Sequence, residues 1–337
     1  VIEGAGERDD INICLTVTVT GSDIRVDFSN TSPQVTWGVN VVYNFTYAYV
    51  FMAIKSVFDP DLPINEGAIR PVIMTAPEGS VVNCSFPAAV AARMQVGHFM
   101  TEMVFRALSP AVPDRIISDS GGTPAQTNIF YGKRHDGKPF HTMIIRGGGL
   151  GASRAKDGHQ CAIFPANGAN TPIEILESDT PLRVLARELI CDSGGAGKKR
   201  GGLGRRMRIR VPDDALAPEP PVAIAVQAGR FRDPPQGIFG GKHGTRARYL
   251  KNDLPGDPSS LTFCNPGDTI DFESAGGGGF GSPLERDISA VERDVAYGYV
   301  SIEKAKSDYG VVLDTTSRKA DRNATQRLRA SIVSSRR

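Results

Sequence analysis

Between Arg146 and Gly204 the chain sets runs of glycine among Asp, Asn, Glu and Arg. These are Arg146-Gly-Gly-Gly-Leu-Gly151, Asp157-Gly158, Asn170-Thr-Pro-Ile-Glu174 and Asp192-Ser-Gly-Gly-Ala-Gly-Lys-Lys-Arg200-Gly-Gly-Leu-Gly204. Glycine at this density means backbone at positive φ or segments packed too closely for a Cβ, with polar side chains held on the resulting turns. The stretch reads as a site or an interface. A nucleotide loop is the first chemistry to test. Gly195-Ala-Gly197-Lys198-Lys199 has a Gly-Lys step, but no glycine stands where a Walker A loop requires one, and Lys199 replaces the Ser or Thr. Gly147–Gly151 misses the G-x-G-x-x-G register because Ala152 and Arg154 break it. Gly276–Gly281 meets the bare spacing at Gly276, Gly278 and Gly281, but the helix expected after it begins only past Asp287, so the motif does not open a helix as a dinucleotide fingerprint must.

Five blocks carry a resemblance: Pro63-Ile-Asn65-Glu66-Gly67-Ala-Ile-Arg70-Pro71, Asn170 through Glu177, Asp192 through Gly197, Arg200 through Gly204, and Gly276 through Asp287. In order and spacing, from roughly residue 12 to Leu313, they resemble the hydantoinase B/oxoprolinase family. The resemblance implies one subunit, or the C-terminal half, of cytoplasmic ATP-dependent enzymes that open lactam or hydantoin rings or carboxylate ketones. It places ATP on a hydantoinase A-like ATPase partner in a hetero-oligomer. The family's Asn-Asp-Pro-Tyr-x-Gly-Gly-x-His-like and His-His-Ala-Asp-like blocks, associated with a divalent metal, do not occur here. The expectation is therefore a C-terminal part of a longer polypeptide or a split-gene product, with the metal (Zn or Mn) held by the upstream region. No metal ligand is assigned in this chain.

The 337 residues suffice for a large core, and the net charge of +2, mixed along the chain, argues against a nucleic-acid partner. Cys14, Cys84, Cys161, Cys191 and Cys264 form no C-x-x-C pair, which suits reduced thiols better than a disulfide framework or zinc site. No run approaches a membrane span.

Period-two alternation at Ile13–Val19 and Ile24–Phe28 predicts a hairpin around Gly21. A helix is expected over Val41–Val57, ended by Asp59-Pro60, with Tyr43, Tyr47 and Tyr49 as core. Asn65-Glu-Gly67 reads as a turn before an extended Pro71–Ala76, and a second helix should start at Pro87 and run to Leu108. His98 and Glu102 share a face of it, but two ligands do not make a metal site. Asn128–Tyr131 and Phe140–Ile145 form strands joined at Asp136-Gly137, with His135 and His141 on the turn flanks. Thr171-Pro-Ile-Glu174 has the capping-box pattern of a helix through Leu176, so Glu174 is either a cap or a functional group. A strand should follow near Val184–Ile190. The connector from Val211 to Pro221 is the expected boundary. It divides a main region, 1–211, from a smaller β-rich subdomain, 222–313, containing strands Val222–Val226, Thr262–Cys264 and Thr269–Glu273. Asp287 and Ser301 should cap two terminal helices ended by Gly298 and Gly310. The basic tail, 314–337, is expected to be disordered or draped on a partner.

The predicted class is α+β: a β-rich mixed architecture with several hairpins and peripheral helices, and no Rossmann or P-loop domain. Asp157, Asn170, Glu174, Asp192 and Arg200 are expected on or near a shared cleft or subunit interface. Asp157, Asn170 and Glu174 are the catalytic candidates; Asp192, Arg200, Arg70 and Arg146 are the substrate-binding or interface candidates. Three functions compete: a subunit of a cyclic amidohydrolase, a subunit of a ketone (acetone or acetophenone) carboxylase, and a non-catalytic assembly subunit.

Overall fold

The computed structural model describes residues 2–3, 9–124, 126–134, 136–213 and 222–334. His135 and most of the proline-rich connector, 214–221, lie outside the described residues.

Strands β1 (Thr16–Thr20) and β2 (Asp23–Asp27) form the antiparallel hairpin that the alternation predicts, turning at Gly21 with φ +60°. Helix α1 (Tyr43–Phe58) packs its Val50, Ile54 and Val57 into a first core. Its tyrosines are structural, since the Tyr43 hydroxyl donates to the Met74 carbonyl at 2.9 Å and the Tyr47 hydroxyl to the Val72 carbonyl at 2.8 Å. The expected turn at Asn65 opens a short helix, α2 (Glu66–Ile69), capped by the Asn65 side chain, before β3 (Val72–Thr75), which runs parallel to β2. The second long helix starts at Met94 rather than at Pro87, as α3 (Met94–Gly97) continuing into α4 (Phe99–Leu108). Across residues 87–93 the backbone bonds elsewhere: the Ala89 carbonyl accepts from Asn40 Nδ2 at 2.9 Å and the Ala92 N–H donates to Gly38 at 2.7 Å.

The rest of the chain builds two further sheets. In chain order the elements are β4 (Gln126–Lys133), β5 (Pro139–Arg146), α5 (Ile173–Asp179), β6 (Arg183–Leu189), β7 (Arg205–Arg210), β8 (Val222–Gln227), β9 (Arg248–Lys251), β10 (Leu254–Pro255), β11 (Thr262–Cys264) and β12 (Thr269–Glu273). One antiparallel sheet has the order β11-β8-β4-β5, the other β10-β9-β12-β7-β6. Strands from 222–313 pair with β4 and β7 from 1–211, so both sheets run across the expected division. Their inner faces share a core of Phe130, Ile144, Met207, Ile209, Ile224, Ile270 and Phe272, in which Phe130 meets Phe272 edge-on at 6.1 Å. Each such buried side chain contributes about 1.5–3 kcal/mol.

The glycine tracts lie between these layers, and crowding explains them. A Cβ on Gly149 would stand 1.9 Å from the Gly202 oxygen, one on Gly151 1.8 Å from the Ser118 oxygen, and one on Gly201 1.9 Å from the Gly277 oxygen. Gly149, Gly151, Gly201, Gly202 and Gly277 are absent from the positive-φ glycines, so of the two readings of the tract close approach is the one that holds here. The segments hydrogen-bond to one another: Gly121 N–H to Gly149 O at 2.7 Å, Gly149 N–H to Ala275 O at 3.1 Å, Gly202 N–H to Leu150 O at 2.8 Å, and Gly277 N–H to Gly202 O at 2.9 Å. Buried peptide groups are thereby satisfied without side chains, the same steric logic that puts glycine at the axis of collagen.

A C-terminal helical layer covers one side of this glycine core. Asp287 caps α6 (Ile288–Ala296) and Ser301 caps α7 (Ile302–Tyr309), with Gly298 at φ +71° and Gly310 at φ +61° just past their ends, as the sequence predicts. The tail departs from expectation: residues from Arg322 form helix α8 (Arg322–Ser334). Arg329 docks it, donating to the carbonyls of Tyr309 at 3.0 Å and Arg286 at 2.9 Å. The architecture is mixed α+β, and among the described residues no helix is long and apolar enough to cross a membrane.

Candidate functional site

The site candidates from the glycine blocks separate into distinct settings. Asp157 and Arg200 belong to one buried ion network. Arg286, 2% exposed, holds Asp157 through two hydrogen bonds of 2.7 and 2.8 Å and reaches Asp294 at 2.7 Å. The Arg200 N–H donates to Asp157 at 2.7 Å, and the Arg200 guanidinium lies 3.4 Å from Asp294 and over the Tyr299 ring. Burial pushes the Asp157 carboxyl up, but the Arg286 hydrogen bonds and charge, with the Arg200 N–H, outweigh it and hold it below the ordinary carboxylate range. Asp192 ties the same layer down by accepting from the Ser301 N–H at 2.8 Å. These groups lock the helical layer onto the glycine core.

Asn170 joins a different group. It accepts from Arg205 at 2.6 Å, while Arg146 donates to Asn128 at 2.5 Å. Glu174 is exposed in the first turn of α5, and Thr171 makes no capping bond because Pro172 occupies the cap position, so the expected capping box does not form. Glu177 instead accepts from the Val184 N–H at 2.7 Å, fixing α5 to β6. Arg70 ends α2 on the surface.

An opening lies elsewhere, between α4 and the 230–236 loop. Two adjoining hollows of about 510 and 590 Å³ share Ile2, Phe99, Arg230, Arg232 and Asp233. Arg230 takes φ +70°, uncommon for a side chain of its size, and lies over the Phe99 ring at 4.7 Å. It pairs with Glu102 and donates to the Thr123 carbonyl at 2.9 Å. Asp119 completes the floor, bound by Arg106 at 2.7 Å and by the Gln236 N–H at 3.1 Å. Burial pushes the Glu102 carboxyl up and Asp119 adds to this, against Arg230 and the Ser120 N–H, which favour the carboxylate. A carboxyl so placed can carry a proton near neutral pH, the property required of a general acid or base. One turn earlier His98 packs against Tyr49, and burial lowers its pKa to about 4, so it is neutral at pH 7. Among the described residues no three His, Cys, Asp or Glu side chains converge as a metal set, and Glu102 is committed to Arg230. The residues present do not fit the metal that the resemblance implies.

The sequence weighs Glu102 only as one half of a His98 pair that does not make a metal site, and it does not point to Arg230. The available signal is a carboxylate on a helix that otherwise buries Met100, Val104, Phe105 and Leu108.

Comparison with known proteins bears on this arrangement. A family model described as hydantoinase B/oxoprolinase matches residues 2–283. A protein of Pseudomonas sp. (strain NS671), assigned as the B-type subunit of a D-/L-hydantoinase, is 32% identical over 96% of this chain and 55% of its own length. The ATP-dependent caprolactamase of Pseudomonas jessenii, whose beta subunit is 28% identical over 98% of this chain and 58% of its own, has a solved structure that superposes with TM-score 0.80 over 94% of this chain and 56% of that one. A nucleotide-free acetone carboxylase structure superposes with TM-score 0.81 over 97% of this chain and 49% of that one, at 19% identity, which is a likeness of fold. The chain spans about half the length of the curated relatives it matches.

Proposed function

This chain belongs to the hydantoinase B/oxoprolinase family, and on that premise we propose that it forms part of an ATP-dependent cyclic amidohydrolase that opens a lactam or hydantoin ring with a partner ATPase subunit. The observation that carries the reading is the 32% identity to a hydantoinase B-type subunit across 96% of the chain. The 28% identity to a caprolactamase beta subunit supports it, and both names describe one subunit of an assembly. ATP binds the hydantoinase A-like partner, which activates the amide by phosphorylating its oxygen. A ring amide resists water because the nitrogen donates into the carbonyl and is a poor leaving group; phosphorylating the oxygen makes an imidoyl phosphate whose carbon water can attack. The ring C–N bond then breaks as the nitrogen takes a proton, and the acyl phosphate left behind is hydrolysed to carboxylate and phosphate. The cleft floored by Arg230, Glu102 and Asp119 suits the second half of the reaction, with a cation to hold a charged group and a carboxyl to carry the proton the departing nitrogen needs. A divalent metal, on this reading, is held by residues outside this chain, and the assembly is cytoplasmic.

The test is a substrate panel given to the native polypeptide that carries this chain, purified with its partner ATPase. ATP-dependent appearance of a ring-opened product from 5-oxoproline, hydantoin or caprolactam is the expected result, with none from the 337-residue chain alone. ATP-dependent incorporation of bicarbonate into acetone or acetophenone, with every ring left closed, would favour the carboxylase reading. Inertness of the assembled complex toward both classes would favour a purely structural subunit.

A further inference from the structure

The two-sheet core turns polar at one end. On β5 the inward positions Phe140, Ile144 and Arg146 are buried in turn, and on β7 so are Arg205, Met207 and Ile209. The apolar faces of both sheets therefore finish in arginine, 3% exposed at Arg146 and 4% at Arg205. The Ser274 hydroxyl links the two strand ends, donating to the Gly147 carbonyl and accepting from the Arg205 N–H, both at 3.0 Å. Gln126, opposite Arg146 in the register, and Asn128 belong to the same face. Arg146 lies 4.7 Å over the Phe272 ring.

Two buried guanidiniums at linked strand ends should be matched by carboxylates, because an uncompensated buried charge costs several kcal/mol. Among the described residues no carboxylate pairs with Arg146, Arg205 or the neighbouring Arg187. Their side-chain hydrogen bonds go to Asn128, Asn170 and the Thr171 carbonyl. Arg146 Nη1 and Asn128 Nδ2 are buried donors without a partner. Burial, and then the charge of Arg205, lower the hold of Arg146 on its proton; burial, and then the charge of Arg187, do the same for Arg205, against an opposing effect of Cys161. The rim, formed by Cys161, Asn170 and Arg187, is half-buried and open to approach. Planar guanidinium donors, with Arg146 Nη1 and Asn128 Nδ2 left unpartnered beside them, match the oxygens of a small anion.

We propose that Arg146 and Arg205, with Asn128 and Asn170, form a binding site for a small oxyanion, a carboxylate or a phosphate. The site stands on its own geometry and does not depend on the reaction proposed above. Either anion supplies the missing counter-charge; the carboxylate released by ring opening and the phosphate released from ATP are the two kinds that such chemistry would bring to it.

The experiment titrates inorganic phosphate and, separately, acetate into the chain against chloride at matched ionic strength, following the thermal unfolding midpoint. Saturable stabilisation by one or both is expected, as for any ligand that binds only the folded state, and the better anion identifies the source. Arg205→Met should abolish the saturable shift, and without anion it should be no less stable than the wild type, because it removes an unmatched charge. Asn170→Ala, at the rim, keeps the fold and should weaken the apparent affinity about tenfold, the worth of one hydrogen bond to a charged group. No saturable shift in the wild type with either anion, or shifts of equal size in the wild type and both variants, overturns the proposal.

Discussion

Gly201→Ala is expected to abolish folding, or to lower the unfolding free energy by more than about 4 kcal/mol, a loss confined to a few mechanisms of which overpacking is one. The new Cβ would lie 1.9 Å from the Gly277 oxygen and 2.5 Å from its carbonyl carbon, and both atoms belong to backbone that cannot rotate away. Relief would have to move Gly277 itself, whose N–H donates to Gly202 at 2.9 Å and whose carbonyl accepts from Gly195 at 2.8 Å. Displacing one glycine segment breaks its bonds to the next. Gly38→Ala is the control: its Cβ would meet Ala92 N at 3.5 Å, an ordinary contact, so stability should stay within about 1 kcal/mol of the wild type. Urea unfolding of the two variants decides it. Equal stability of Gly201→Ala and Gly38→Ala would mean that the glycine core is not close-packed.

Arg286→Met is expected to destabilise the chain by about 3–5 kcal/mol at pH 7, since it strands the buried Asp294 and the half-buried Asp157 without their shared arginine. Arg200 remains, but at 3.4 Å from Asp294 and with only its backbone N–H on Asp157 it does not replace the lost bonds. The pH dependence gives the cause. In the wild type the folded-state pKa of Asp157 lies below its unfolded value, so this pair's stabilisation is present above the ordinary carboxylate pKa and is lost as pH falls through the depressed one. In the variant Asp157 keeps only the Arg200 N–H and the Arg200 charge against its partial burial and favours protonation, so acid relieves its cost. The stability gap between the two proteins should therefore narrow from pH 7 to pH 4. A gap independent of pH would assign the loss to packing of the Arg286 stem rather than to its charge.

Elements with local causes are legible in the sequence. The β1–β2 hairpin follows from alternation around Gly21, and the α6 and α7 boundaries follow from Asp287, Ser301, Gly298 and Gly310. The glycine blocks announce an unusual core but not its geometry, because crowding and positive φ leave the same residue behind. Arg205 escapes notice although β7 alternates Arg205, Met207 and Ile209 inward, since the outward Arg206 and Arg208 make the segment read as uniformly charged until Asp271 is seen pairing with both. The Glu102–Arg230 pair is beyond reach: the residues are 128 positions apart, and only the folded chain brings them together. The tail misleads because its helix has a single buried residue, Thr325, and depends on Arg329 reaching Tyr309 and Arg286.

Ring opening, on the reading proposed here, is coupled to ATP and divided between this polypeptide and an ATPase partner. The most direct measurement is the ratio of ADP released to ring-opened product formed, with the partner alone, with the polypeptide carrying this chain alone, and with both. One ADP per ring opened, only when both are present, is the predicted result. Ring opening by this polypeptide without ATP, or by the partner without this polypeptide, would contradict it.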